Sequence, residues 1–185
     1  EIDPMRIDQG WLSTATALAS PNADSRPDKS DISLLVIHNI SLPPGQFGGG
    51  HVAELFTSTL DPNTHPYFAE IANLKVSAHL LIDREGVVIQ FVPFDQRAWH
   101  AGVSAFAGRP VCNDFSIGIE LEGTDTDPYT HLQYERLVKI TQCLIAEYPA
   151  LTHDRIVGHS DIAPDRKTDP GPAFDWSYFR KLARG

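Results

Sequence analysis

Eight histidines, at positions 38, 51, 65, 79, 100, 131, 153 and 159, stand out in a chain of 185 residues. Imidazole is the commonest metal ligand and the side chain that changes charge nearest neutral pH. Two of the eight close short apolar runs: Leu34-Leu35-Val36-Ile37 leads into His38, and Ile156-Val157-Gly158 leads into His159. Ten residues after His159 comes Asp169, in Lys167-Thr168-Asp169-Pro170-Gly171-Pro172. Two histidines and a carboxylate form a common three-ligand set for catalytic zinc, with the fourth position left for water. Zinc in such a site lowers the pKa of water from about 15.7 to about 7 and polarises a carbonyl. Hydrolysis of an amide then needs a carboxylate to take the water's proton and pass it to the leaving nitrogen. Glu120 and Glu122 share one face of an alternating segment, and that alternation does not choose between them. Lys167, two residues from Asp169, would stabilise an oxyanion on the attacked carbonyl.

These residues need a rigid frame, and the hydrophobic pattern supplies one. Residues 32–37 are a nearly continuous run of branched apolar side chains and read as a buried central strand. Residues 115–122 alternate strictly, with Ser116, Gly118, Glu120 and Glu122 on the second face. Residues 76–82 and 87–92, joined by Asp83-Arg84-Glu85-Gly86, read as a hairpin, and residues 155–159 as a last short strand. A short helix is expected over 51–57. A long one follows the capping-box pair Thr130 and Gln133 and stops at Pro149, and a third covers 173–184. Residues 20–31, 42–50, 61–70 and 93–114 read as loops, and loops 42–50 and 93–114 are candidates to gate a site. Strands interleaved with a few helices and one hairpin predict an α+β domain, a central mixed sheet flanked by helices. Ends of central strands are where such sheets build sites.

The remaining histidines receive plainer readings. His79 lies among apolar neighbours in the hairpin and reads as a hydrogen-bonded structural residue. His100 is read equally as cleft-lining or structural. His51, His65, His131 and His153 read as surface residues. Trp99 is read equally as a platform for a sugar or as core.

Composition narrows the class. Acidic residues outnumber basic ones 24 to 15, a net charge of −9, which argues against a nucleic-acid or anionic-membrane partner. No apolar run approaches the roughly 18 residues of a membrane helix, and no obligate protein partner is evident. Cys112 and Cys143 are too few for a disulfide framework and read as reduced, small buried side chains. Residues 1–4 read as an expression remnant ahead of Met5, and 5–185 as one domain. No export signal or lipid-attachment cysteine follows Met5, so the expected compartment is the cytoplasm.

Longer motifs point further. Leu35-Val36-Ile37-His38-Asn39-Ile40-Ser41-Leu42-Pro43-Pro44-Gly45 resembles the first zinc-ligand segment of the AmpD family of 1,6-anhydro-N-acetylmuramyl-L-alanine amidases. The resemblance continues through Val76-Ser77-Ala78-His79, Arg97-Ala98-Trp99-His100-Ala101-Gly102 and Cys112-Asn113-Asp114-Phe115-Ser116-Ile117-Gly118-Ile119-Glu120-Leu121-Glu122-Gly123. It ends with Gly158-His159, Arg166-Lys167 and Asp169-Pro170-Gly171-Pro172, and so covers nearly all of residues 10–176. It implies the mixed-sheet fold shared with phage T7-type lysozyme and peptidoglycan recognition proteins. It places the zinc ligands on His38, His159 and Asp169, the catalytic glutamate on Glu120 rather than Glu122, and the catalytic lysine on Lys167. Phage-type relatives carry Cys as third ligand, where Asp169 stands here.

The implied activity is cleavage of the amide between the lactyl group of anhydro-muramic acid and L-alanine in cell-wall recycling. In many bacteria that cleavage lowers the muropeptide signal that induces β-lactamase. A non-catalytic peptidoglycan-binding module of this fold typically lacks a ligand, and here every catalytic position is filled. An envelope enzyme acting on polymeric wall would need an export signal. Substrate contacts are expected from Asn39, Lys75 and Arg109. Lys75 stands where relatives tend to carry Arg, losing the two-pronged carboxylate grip. Val111 stands where a basic residue often occurs, leaving Arg109 nearby.

Overall fold

A computed structural model describes residues 4–185. Three of the four residues read as an expression remnant lie outside the described residues.

The frame is a six-stranded mixed sheet, in the order Ile156–Gly158, Leu34–Ile40, Ser116–Glu122, Leu80–Ile82, Val88–Gln90, Thr16–Ala17. The first four strands run parallel. The hairpin supplies the one antiparallel pairing, Leu80–Ile82 against Val88–Gln90. Its turn closes through Asp83 and Gly86, whose φ of 82° is a left-handed conformation that glycine adopts without strain. The predicted α+β class and mixed sheet are therefore present.

The two faces of the sheet are covered differently. Odd-numbered side chains of the central strands, Leu35, Ile37, Ile117, Ile119 and Leu121, pack against Leu137, Ile140 and Leu144 of a long helix. That helix, His131–Glu147, starts at the predicted capping box: Thr130 and Gln133 bond reciprocally, 3.2 Å and 3.0 Å. A terminal helix, Trp176–Arg184, adds Phe179 to the same core. On the even-numbered face the apolar side chains fall into two separate clusters. Leu34 and Val36 pack with Cys112, Phe115 and Ile162, while Leu55, Phe56, Phe68 and Phe91 form a second group. Between those groups lie the polar residues His38, Ser116 and Glu120, all buried.

Several boundaries differ from expectation. The first strand runs on to Ile40, so His38 lies inside it instead of closing it. Residues 61–70 are not all loop: Pro66 opens a helix over Pro66–Ile71, with His65 as its cap accepting from the Tyr67 amide at 3.0 Å. Proline at a first helical position loses no hydrogen bond and favours the turn. His159 begins a short helix, His159–Ile162, immediately after its strand. Segments 20–31 and 93–114 contain an antiparallel ribbon, Ala23–Ser25 against Gln96–Ala98. Arg97 straps it, pairing with both Asp24 oxygens at 2.8 and 2.9 Å and with Asp114 at 2.8 Å. No helix among the described residues is long and apolar enough to cross a membrane.

Candidate metal centre and active site

Register in the parallel strands brings the chemistry together. His38 lies directly beside Glu120 on the neighbouring strand. Gly158 pairs with Ile37, so the next residue, His159, emerges at the same end of the sheet. Asp169 returns on the loop after the short His159 helix, and its backbone carbonyl accepts from the Ser160 amide at 3.0 Å. The result is a cluster of His38, His159 and Asp169, with all three ligand atoms within 4.8 Å of one another. His38 Nδ1 is 3.0 Å from His159 Nδ1 and 3.2 Å from Asp169 Oδ2. His159 Nδ1 is 3.3 Å from both Asp169 oxygens. Burial and the nearby His159 work against a charge on His38, while Asp169 favours one, and the balance lowers its pKa. Burial alone would raise the pKa of Asp169, but its contacts with His159 and His38 win and hold the carboxyl far below the usual range.

This donor set fits a divalent metal. Two imidazole nitrogens and a carboxylate oxygen converge on one point, and the carboxylate offsets part of a dication's charge. The far side of His159 donates Nε2–H to the Ala101 carbonyl at 3.0 Å, which leaves the Nδ1 lone pair facing the cluster.

Glu120 stands beside the cluster, Oε1 3.8 Å from His38 Nδ1. Its Oε2 is buried without a hydrogen-bond partner in the protein. Burial first, and then the charge of Asp169, push its pKa well above the usual carboxylate range, with Lys167 pulling the other way. Glu122 is spent elsewhere, accepting from the Gly48 amide at 2.9 Å and the Arg84 amide at 3.1 Å. The alternation left this choice open, and the geometry separates the two. Lys167 is exposed and lines the same cleft. The cleft, about 740 Å³, is lined by apolar side chains that include Leu55, Tyr67, Ile71 and Trp99, and by polar ones that include Asp125, Arg166 and Thr168.

The expected substrate contacts fare unevenly. Asn39 lines the cleft, but its side-chain N–H groups are taken up within the protein, by Asp125 Oδ1 (2.8 Å), Tyr129 Oη (3.0 Å) and the Pro170 carbonyl (3.2 Å). It clamps the Asp169 loop instead of pointing a donor at a ligand. Asp125 completes the clamp by accepting from Thr168 Oγ1. Arg109 is not brought to the cleft. It pairs with Asp31 at 2.7 Å and lies over the Phe115 ring, 3.9 Å from its centroid. Lys75 is exposed between Leu74 and Val76, both of which line the cleft.

His79 is a buried structural residue, accepting from the Gly118 amide at 3.1 Å and donating to the Gln96 carbonyl at 2.9 Å. His100 joins both of its readings: it lines the cleft and contacts His38. Sequence reasoning passed over Arg26 within a polar loop. It is buried and donates to the carbonyls of Phe94, Asn113, Asp114 and Ser116, tying its own segment to those around residues 94 and 113–116. A lone arginine among prolines and aspartates carries no signal of that role.

Residues 28–172 match the N-acetylmuramoyl-L-alanine amidase family. The chain belongs to that family. This amidase-family chain is 63% identical over 178 residues to the 1,6-anhydro-N-acetylmuramyl-L-alanine amidase AmpD of Enterobacter cloacae, an alignment covering 96% of this chain and 95% of that protein. A crystal structure of a selenomethionine AmpD derivative superposes with a TM-score of 0.93 at 61% identity, covering 96% of this chain and 99% of that one. The Escherichia coli amidase AmiD, solved with the substrate anhydro-N-acetylmuramic acid-L-Ala-D-γ-Glu-L-Lys, superposes with a TM-score of 0.61 at 27% identity. That alignment covers 96% of this chain and 65% of AmiD.

Proposed function

We propose that this chain is a single-domain, zinc-dependent amidase. It hydrolyses the bond between the lactyl group of 1,6-anhydro-N-acetylmuramic acid and L-alanine in soluble muropeptides. The observation that carries this reading is the convergence of His38, His159 and Asp169 beside a buried, half-unpartnered Glu120, in an amidase-family chain. The names of the relatives support the anhydro-sugar substrate.

His38, His159 and Asp169 would hold the zinc. Zinc bound there supplies Lewis acidity to the amide carbonyl and lowers the pKa of the attacking water from about 15.7 to about 7. Glu120 takes a proton from that water and delivers it to the leaving L-alanine nitrogen. Its free Oε2 gives it an acceptor not committed to the fold. Lys167 places a positive charge where oxyanion character develops on the carbonyl. Lys75, at the rim, is the cation set to meet peptide carboxylates. The reaction belongs to cytoplasmic cell-wall recycling, where it lowers the muropeptide signal that induces β-lactamase.

Mass spectrometry of products from anhydro-muramyl tripeptide tests the reading. Release of the free tripeptide and anhydro-muramic acid is expected, with activity lost on chelation and restored by zinc. Full hydrolysis by a metal-free preparation would refute the zinc assignment. A preference for intact sacculi over soluble muropeptide would refute the recycling role.

A further inference from the structure

Two consecutive residues of the 93–114 segment reach the two histidines of the cluster. The His100 ring presents Nδ1 to His38 Nε2 at 2.9 Å, and its own Nε2 meets Ser116 Oγ at 3.0 Å. The Ala101 carbonyl accepts from His159 Nε2 at 3.0 Å. A single side chain anchors both backbones: Asn113 Oδ1 accepts from the His100 amide at 3.2 Å and from the Ala101 amide at 2.9 Å. Arg166 adds a further donor to the Ala101 carbonyl at 2.8 Å.

The central strand is cut away to admit the His100 ring. A Cβ placed on Gly118 would lie 2.5 Å from His100 Cγ and 2.6 Å from its Nδ1. Glycine inside a strand weakens it and marks a close approach of another group, and here that group is the ring behind His38. Gly118 sits between Ser116, which meets the far end of His100, and Glu120, which flanks His38.

We propose that His100 and Ala101 are positioning residues that hold His38 and His159 with both Nδ1 lone pairs turned to the metal position, and that Gly118 and Asn113 fix this pair in place. The proposal rests on the metal reading above. A carbonyl only accepts, so Ala101 sets the proton of His159 on Nε2. His100 does the same for His38: its Nδ1 accepts from His38 Nε2–H while its own Nε2–H donates to Ser116 Oγ. Loss of such an outer partner typically weakens metal binding by about 10–100-fold.

Zinc affinity of the full chain, measured by chelator competition, tests the proposal on wild type, His100→Leu and His100→Asn. Leucine is expected to weaken zinc by about 10–100-fold. Asparagine, which puts a carbonyl oxygen where Nδ1 stood, is expected to recover most of the loss. A His100→Leu protein that binds zinc as tightly as wild type overturns the positioning role alone, whereas a wild type that binds no zinc overturns the metal reading with it. A second measurement needs no variant. In zinc-loaded wild type, ¹⁵N–¹⁵N coupling across the hydrogen bond between His38 Nε2 and His100 Nδ1 is expected, and its absence overturns the proposal even if His100→Leu does not fold.

Discussion

The two faces of the central sheet solve opposite problems with the same strands. On the odd-numbered face, Ile117, Ile119 and Leu121 meet a helix stripe of Leu137, Ile140 and Leu144, all essentially inaccessible to solvent. On the even-numbered face, Ser116, Glu120 and His38 are nearly as deeply buried, yet they are polar, and Glu120 keeps an oxygen without a partner. Burying apolar surface stabilises the fold, whereas burying an unpaired carboxyl oxygen costs stability. The first face is therefore spent on stability, and the second holds groups in states that water would not allow. Raised proton affinity at Glu120 and lowered proton affinity at His38, His79 and His100 all share burial as their first cause.

Substitutions should separate the faces. Glu120→Gln is expected to lower turnover of anhydro-muropeptide by about 10²–10⁴-fold while leaving resistance to denaturant the same or higher. A matching loss of stability would make Glu120 part of the frame. Leu137→Ala, on the helical face, should cost about 2–5 kcal/mol of stability, read from the urea midpoint, while activity per folded molecule stays at the wild-type level. An activity loss at full folding would show that the two faces are coupled.

A third effect concerns acid. Burial, with a contribution from Arg26, holds the His79 pKa down at about 3 against an ordinary 6.5. The unfolded chain takes up this proton below pH 6.5 and the folded one refuses it. Stability is therefore complete above pH 6.5 and falls as the pH drops from there toward 3, by about 1.4 kcal/mol per pH unit for one such histidine. Denaturation of metal-free protein between pH 7 and 4 should show a steeper pH dependence in wild type than in His79→Gln. Parallel lines for the two proteins would contradict the burial argument.

Thr130→Ala removes the cap of the long helix and should cost about 1 kcal/mol, seen as a lower melting temperature with kcat and KM unaltered. Arg109→Ala should change KM not at all, because its partner is Asp31, outside the cleft. A raised KM would return Arg109 to the substrate site.

Legibility in the sequence followed the same division. The helical face could be read because its signals are periodic and local: alternation over 115–122, the Thr130–Gln133 cap and the stop at Pro149. The hydrophobic pattern singled out His38 and His159 because each follows an apolar run, and the family resemblance named the candidate ligands and Glu120. Hidden from the sequence were contacts between residues far apart whose types carry no local signature. Asn39 sends its amide to Asp125 and Pro170, Arg109 turns to Asp31, and Arg26 collects backbone carbonyls across the chain. Partners for such groups are fixed by three-dimensional packing.

The eight histidines illustrate the limit. By itself the sequence determined five of the sheet's six strands, all but Thr16–Ala17, and that two histidines stand at the ends of apolar runs, because side-chain alternation and branched-residue runs are properties of neighbouring positions. Only the tertiary structure decided that His38 borders Glu120, that His159 and Asp169 return to the same point, and that His100 stands behind His38 in the space left by Gly118. Those outcomes depend on strand register and loop closure, which bring together residues as distant in sequence as His38 and His159, 121 positions apart.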